Sequence, residues 1–214
     1  PPAHDDRPMW DVNGRVTWQA SPRHKIGVLL HKGTVVGTAQ TITRQTTAAA
    51  SFNNRMVSKI LAQGTWTFPA TNRLLFEAGA QTHPHAYIVY PWDAQGVAVA
   101  PGALEASTGV KFRHQVGQHA TNSVSRSDYS SYFYRGSVSY VTGAHALKAG
   151  MQLWPGKRDV NFVGTGVPYW VTLLNAQPIS ATFTALPYSF QDSMLKTAFF
   201  AQDQWTIKRL TVNA

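Results

Sequence analysis

The chain contains no cysteine. Disulfide bridges and thiolate metal sites are therefore excluded, while the compartment stays open. Charge is scarce as well: Asp, Glu, Lys and Arg make up 14% of the residues, against about 25% in an average soluble domain. No apolar run reaches the length of about 18 residues that a transmembrane helix needs. There is no HExxH helix, no Gly-rich phosphate loop and no nucleophile constellation, so no enzymatic activity is expected. The opening PPAHDDRPMWD has neither an initiating Met nor a signal peptide.

Aromatic residues, by contrast, make up 12% of the 214 positions, with seven Trp. Mean hydropathy is nevertheless only −0.21. Apolar and polar residues must then be finely interleaved, as in β-sandwiches and membrane β-barrels. The net charge of +9 raises the question of nucleic acid. The basic residues are scattered, with no cluster of five or six, and no nucleic-acid partner is expected.

Four stretches share one plan: VNGRVTWQASPRHKIGVLL, ILAQGTWTFPATNRLLFEAGA, YRGSVSYVTGAHALKAGMQL and FFAQDQWTIKRLTVNA. Each has an alternating strand with an aromatic near its end (Trp18, Trp66, Tyr140, Trp205), a short turn, and a second strand opening near a basic residue. These read as β-hairpins. Trp10, Val12, Gly14, Val16 and Trp18 fall on one face, with Asp11, Asn13, Arg15, Thr17 and Gln19 on the other. Tyr132, Tyr134, Gly136, Val138 and Tyr140 oppose Arg135, Ser137 and Ser139 in the same way. The final strand mixes its faces and leaves them unassigned. SKILAQGTW loosely follows helical spacing as well, but the repeat favours a strand.

Connections within hairpins are short, whereas the segments 37–54, 91–128 and 164–192 are long. Short turns on one edge and long loops on the other mark an outer-membrane barrel. If every short turn lies on the same edge, each long segment holds an even number of spanning strands, most simply none. STGVKFRHQVG and VPYWVTLLNAQPISATFTALP then read as extracellular hairpins or strand extensions. The expected fold is all-β: an antiparallel up-and-down transmembrane β-barrel segment of about eight long strands. Trp18, Trp66, Tyr140 and Trp205 form the candidate aromatic belt at the membrane interface. The polar face supplies a candidate lumen-facing basic set, Arg15, Lys59, Arg135 and Lys148, with Glu77 among them.

RVTWQASPRHKIGV, QGTWTFPATNRLLFEAG, YRGSVSYVTGAHALKAGMQ and FFAQDQWTIKRLTVNA resemble, in order, the barrel of TonB-dependent receptors with a carboxypeptidase-regulatory-like N-terminal domain. The resemblance implies that residues 1–214 are part of a larger barrel, broken off within a strand, so that the sheet stays open. The plug and TonB box have no counterpart here. It implies residence in the bacterial outer membrane, contact with lipid and lipopolysaccharide, and energy-coupled uptake of a small nutrient ligand. The TonB-ExbB-ExbD system would act through the missing plug. Surplus positive charge in the loops would meet lipopolysaccharide phosphates. Two alternatives stay open: a secreted soluble β-sandwich or lectin-like binding module, and a complete eight-stranded adhesin or structural barrel. The first expects apolar faces packed on each other. The second expects closure between the strands at Trp10 and Leu210.

No cofactor is expected. His83 and His85 place two imidazoles close together, yet a metal site needs a third ligand, and these histidines, like His114 and His119, read as ordinary loop residues. Asp11, Glu77 and Asp203 lie on separate strands, where spacing gives no reason for them to meet.

Overall fold

Alternation at period two becomes long antiparallel strands. The computed structural model describes residues 6–40, 42–58, 60–91, 101–114, 116, 123–164 and 166–214. The strands are β1 (Met9–Ser21), β2 (His24–Gln40), β3 (Phe52–Ser58), β4 (Leu61–Pro69), β5 (Leu74–Thr82), β6 (His85–Pro91) and β7 (Gly102–Glu105). They continue with β8 (Val110–Phe112), β9 (Ser123–Thr142), β10 (His145–Gly164), β11 (Tyr169–Leu174), β12 (Gln177–Phe183), β13 (Tyr188–Ile207) and β14 (Leu210–Asn213). The described helical structure is one turn of 3-10 helix at Ala48–Ala50. No described helix is long and apolar enough to cross a membrane, which has no bearing on crossing by strands.

Ten strands form the main sheet. β2 pairs along its length with β4 and then β3, and β9 pairs with β5 and then β6. β3 and β4 are thus one interrupted strand, and so are β5 and β6. Ten strands then fill 10 − 2 = 8 positions of an up-and-down meander, each bonded to its neighbour in sequence. The two interruptions differ. Across Pro84, which has no N–H to give, the register with β9 is kept: Thr82 faces Tyr132 and His85 faces Tyr129. Between β3 and β4 it slips. Val57 faces Thr34 while Leu61 faces His31, so three residues oppose two, a β-bulge. Lys59 lies outside the described residues. Among the described residues β1 and β14 do not pair with each other, so the sheet is open.

The four short connections, 22–23, 70–73, 143–144 and 208–209, all lie at one end of the sheet. Gly143 (φ 54°) takes the left-handed conformation that such tight turns demand. The long connections leave from the opposite end.

Register fixes the faces. One row of partners runs Trp18, Ile26, Trp66, Ala78, Gly136, Met151, Phe199 across seven positions. Residues opposite in a ladder share a face, and alternation then sorts the rest. One face carries Val12, Val16, Val28, Leu30, Phe76, Tyr134, Leu147 and Leu195, all at least 36% exposed. The other carries Arg15, Gln63, Thr65, Glu77, Arg135, Lys148 and Gln152. The final strand sorts the same way: Leu195, Phe199 and Trp205 join the apolar face. Phe200 lies on the polar face, against Gly150 directly opposite.

The same row measures tilt. Trp18 lies three residues before the end of β1 and Phe199 lies eight before the end of β13, a drift of 8 − 3 = 5 residues over six strand steps. At about 3.3 Å per residue and 4.8 Å per strand, strands whose turns share one level lean by roughly 30°. Closed barrels tilt by about 35–45°.

No conventional core forms. The buried hydrophobic residues among those described are Ala39, Ala50, Ala86, Val89, Ala103 and Val160, none larger than Val. The large apolar side chains remain on one uncovered face instead.

Segments of the long connections build a second, four-stranded sheet in the order β12-β11-β7-β8. Its β7–β11 pair is parallel. Lys111 donates its N–H to the Gln45 carbonyl at 2.6 Å, and the Thr47 N–H reaches Lys111. All three long connections are therefore joined by hydrogen bonds.

Candidate functional site

At the short-turn end, Trp18, Trp66, Tyr140 and Trp205 all fall on the apolar face, as alternation implies. Sequence reading missed their histidine neighbours. Trp66 donates its indole N–H to His24 Nδ1 at 3.1 Å, and His24 stacks on Phe68 at 4.5 Å. Trp205 stacks on His145, 5.5 Å away, and His145 Nδ1 lies 2.6 Å from Asp203 Oδ2. Trp66 and Trp205 thus each have a histidine beside them at this end of the sheet, hydrogen-bonded in the first case and stacked in the second. The signal is invisible in sequence because the partners come from different strands and meet only through register.

Arg15, Arg135 and Lys148 share the polar face. Lys148 Nζ lies 2.7 Å from Glu77 Oε2, and Ser137 Oγ bonds the same carboxylate oxygen at 3.4 Å. Arg135 stretches over Gly79, its direct partner in register, where a β-carbon would crowd the guanidinium at 3.1 Å. Arg15 makes no ion pair with a described residue. Glu77 is thus brought to two of the predicted cations. Asp11 and Asp203 stay apart from it, Asp203 on the opposite face.

Beyond this cluster, towards the long connections, the polar face changes character. Trp154 packs edge-on against Phe133 with 5.6 Å between ring centres, and its indole N–H bonds Ser131. Lys196 lies 5.9 Å above the Trp154 ring. Arg158 holds the Asp192 carboxylate through Nε at 2.9 Å and through Nη2, and also covers Phe190. Phe162 and Tyr188 stack at 4.7 Å. His85 stacks on Tyr129 at 4.5 Å and lies 5.1 Å from His83. A hollow opens here between His85, Tyr129, Gly156, Arg158, Asp192 and Met194. It offers flat rings, an ion pair in which two guanidinium N–H groups share one carboxylate oxygen, and cations nearby, a surface suited to holding a ligand with a planar or ring-shaped part.

No third ligand joins His83 and His85, and no group of three metal-ligating side chains occurs among the described residues. His114 sits just past β8, and His119 lies outside the described residues.

In the second sheet, Glu105 accepts hydrogen bonds from the N–H groups of Asn175 and Ala176 and from Ser107. Asn175 and Ala176 are both left-handed, with φ of 52° and 63°. Their N–H groups converge on the carboxylate. The Ser107 hydroxyl, then the backbone N–H groups, hold the Glu105 pKa down to about 2.

This chain matches no family model, no curated protein and no solved structure.

Proposed function

We propose that this chain is a stretch of barrel wall from an outer-membrane, TonB-dependent transporter that binds a small nutrient ligand and takes it up. One observation carries the membrane part: a single-layer sheet whose one face bears an exposed apolar band along its short-turn half, from Val12 and Val16 on β1 to Leu195 and Phe199 on β13. Soluble monomers rarely leave contiguous apolar patches above a few hundred Å² uncovered. Lipid would cover this face, and the polar face would line a water-filled lumen. A β-sandwich would pack such a face on a second sheet. An eight-stranded closed barrel would join β1 to β14.

The transport part rests on the four-motif resemblance. In this reading the aromatic and charged hollow at the outer end of the polar face meets the ligand first. Glu77, Lys148 and Arg135 line the lumen below it, and the TonB system acts through a plug outside this chain.

Fractionation of the producing cells tests the proposal. The protein is expected in the outer-membrane fraction, with heat-dependent migration on denaturing gels. Recovery in the soluble fraction, monodisperse without detergent, would overturn it.

A further inference from the structure

Lys32 is an anomaly on its face. The register sets it among the apolar residues: Val12 stands opposite on β1, and Leu30 precedes it on the same side of β2. It is exposed, and no described carboxylate pairs with it. Further along β2, Val36 faces Arg55 of β3, a second exposed cation on this side without a described ion-pair partner. Other charges on this face beyond the apolar band are matched: Arg126 with Asp128 and Lys157 with Asp159.

Beside Lys32, towards the short turns, the same face sinks into a shallow groove. Val28 and Tyr132 form its walls, and Ala62, Gly64 and Ala80 form its floor. A β-carbon added at Gly64 would meet nothing within 4 Å, so the floor is open. A cation at the head of an apolar groove is the outline of an amphiphile with an anionic head. In hydrocarbon a lysine lacks both water and counter-ion, and it destabilises a barrel more the deeper it lies. An anion at headgroup level removes that cost. Thr82 and the Tyr132 and Tyr134 hydroxyls stand at the rim, but the Ala62, Gly64 and Ala80 floor offers a peptide or sugar no side-chain hydrogen bond, and an acyl chain needs none.

We propose that Lys32, assisted by Arg55, holds the phosphate of an anionic lipid whose acyl chain lies in the groove over Gly64. The inference rests on the membrane reading above. It moves the lipid-binding charge from the loops, where composition placed it, to the wall.

Quenching of tryptophan fluorescence tests both layers separately. Trp66 lies two residues from Gly64 on the same face, and Trp10 and Trp18 stand nearby on β1. The whole chain is reconstituted in phosphatidylcholine vesicles containing a minor share of either brominated phosphatidylglycerol or brominated phosphatidylcholine. The expected result is preferential quenching by the anionic lipid, with apparent affinity about fivefold higher, the effect of one lysine near an anionic surface. Lys32→Met, which keeps the apolar surroundings intact, should abolish the preference, and Arg55→Met should weaken it. Gly64→Leu should fill the groove and reduce quenching by both lipids. Arg209→Ser, at the opposite end, serves as the control. Equal quenching by the two lipids in the unaltered chain would overturn the lipid site and leave the membrane reading standing. No quenching by either lipid, with the strands formed, would remove both.

Discussion

Gly150 stands opposite Phe200 in the β10–β13 ladder, and the ring fills the space a side chain would take. A β-carbon at Gly150 would lie 2.5 Å from the Gly136 carbonyl oxygen and 2.6 Å from the Phe200 ring. Gly150→Ala is expected to destabilise the sheet by about 1–3 kcal/mol, as overpacking does, read from urea unfolding in lipid vesicles. Phe200→Leu in that background should recover part of the loss. The same pair shows where sequence reading stops. Phe200 and Met194 on one face and Asp203 on the other make the final strand look mixed, and the Phe200 ring finds its place only through the missing side chain across the ladder. His24 and His145 were silent for the same reason. A lone histidine gives no signal until register sets it beside Trp66 or Trp205.

Single elements were more legible than their joints. Strict alternation in β1 and in the Tyr132–Tyr140 half of β9 named their faces. The hairpins followed from short turns flanked by aromatic and basic residues. The bulge between β3 and β4 was not legible, since one extra residue changes no composition, only the pairing. The short second sheet was legible in part: its segments were expected as hairpins or extensions at the outer edge. Its parallel β7–β11 contact depends on residues about 70 apart and leaves no local trace. Glu105 joins these elements, and its protonation gives a signed prediction. Its pKa is lowered from 4.5 to about 2, so its stabilising effect is complete above pH 4.5 and is lost as pH falls through 2. Amide exchange at Asn175 and Ala176, corrected for intrinsic rates, should show constant protection from pH 7 down to 5. Glu105→Gln should lower protection throughout that range. Unchanged protection in the variant would mean that the β7–β11 pairing alone holds the loops together.

For the whole molecule, the decisive contrast is between neighbours on opposite faces. Met151 is 44% exposed on the apolar face, and Gln152 follows it on the polar face. Met151→Arg is expected to cost about 2–4 kcal/mol of folding free energy in a bilayer. Gln152→Arg should stay within about 0.5 kcal/mol, as surface changes do. Equal effects of the two in lipid vesicles would count against a lipid-facing wall. In aqueous solution without lipid the asymmetry should disappear.

The wall is also uneven in height. β9, β10 and β13 each run for 20 residues, whereas β1 runs for 13. On β9 the apolar series ends at Tyr132, and Ser130, Asp128 and Arg126 follow on that face. About ten residues of strand therefore stand clear of the apolar band, roughly 30 Å of chain before tilt. On the proposed membrane reading, the cell would present that rim to its surroundings as a parapet, seven residues longer than β1. Antibodies and phage tail fibres approaching from outside would meet it together with the long connections. Serum raised against residues 188–193 should label intact cells, and serum against the turn at 143–144 should label only permeabilised ones. Selection by such predators would then fall hardest on the crest of three neighbouring strands, letting its residues change while the wall beneath keeps its pattern.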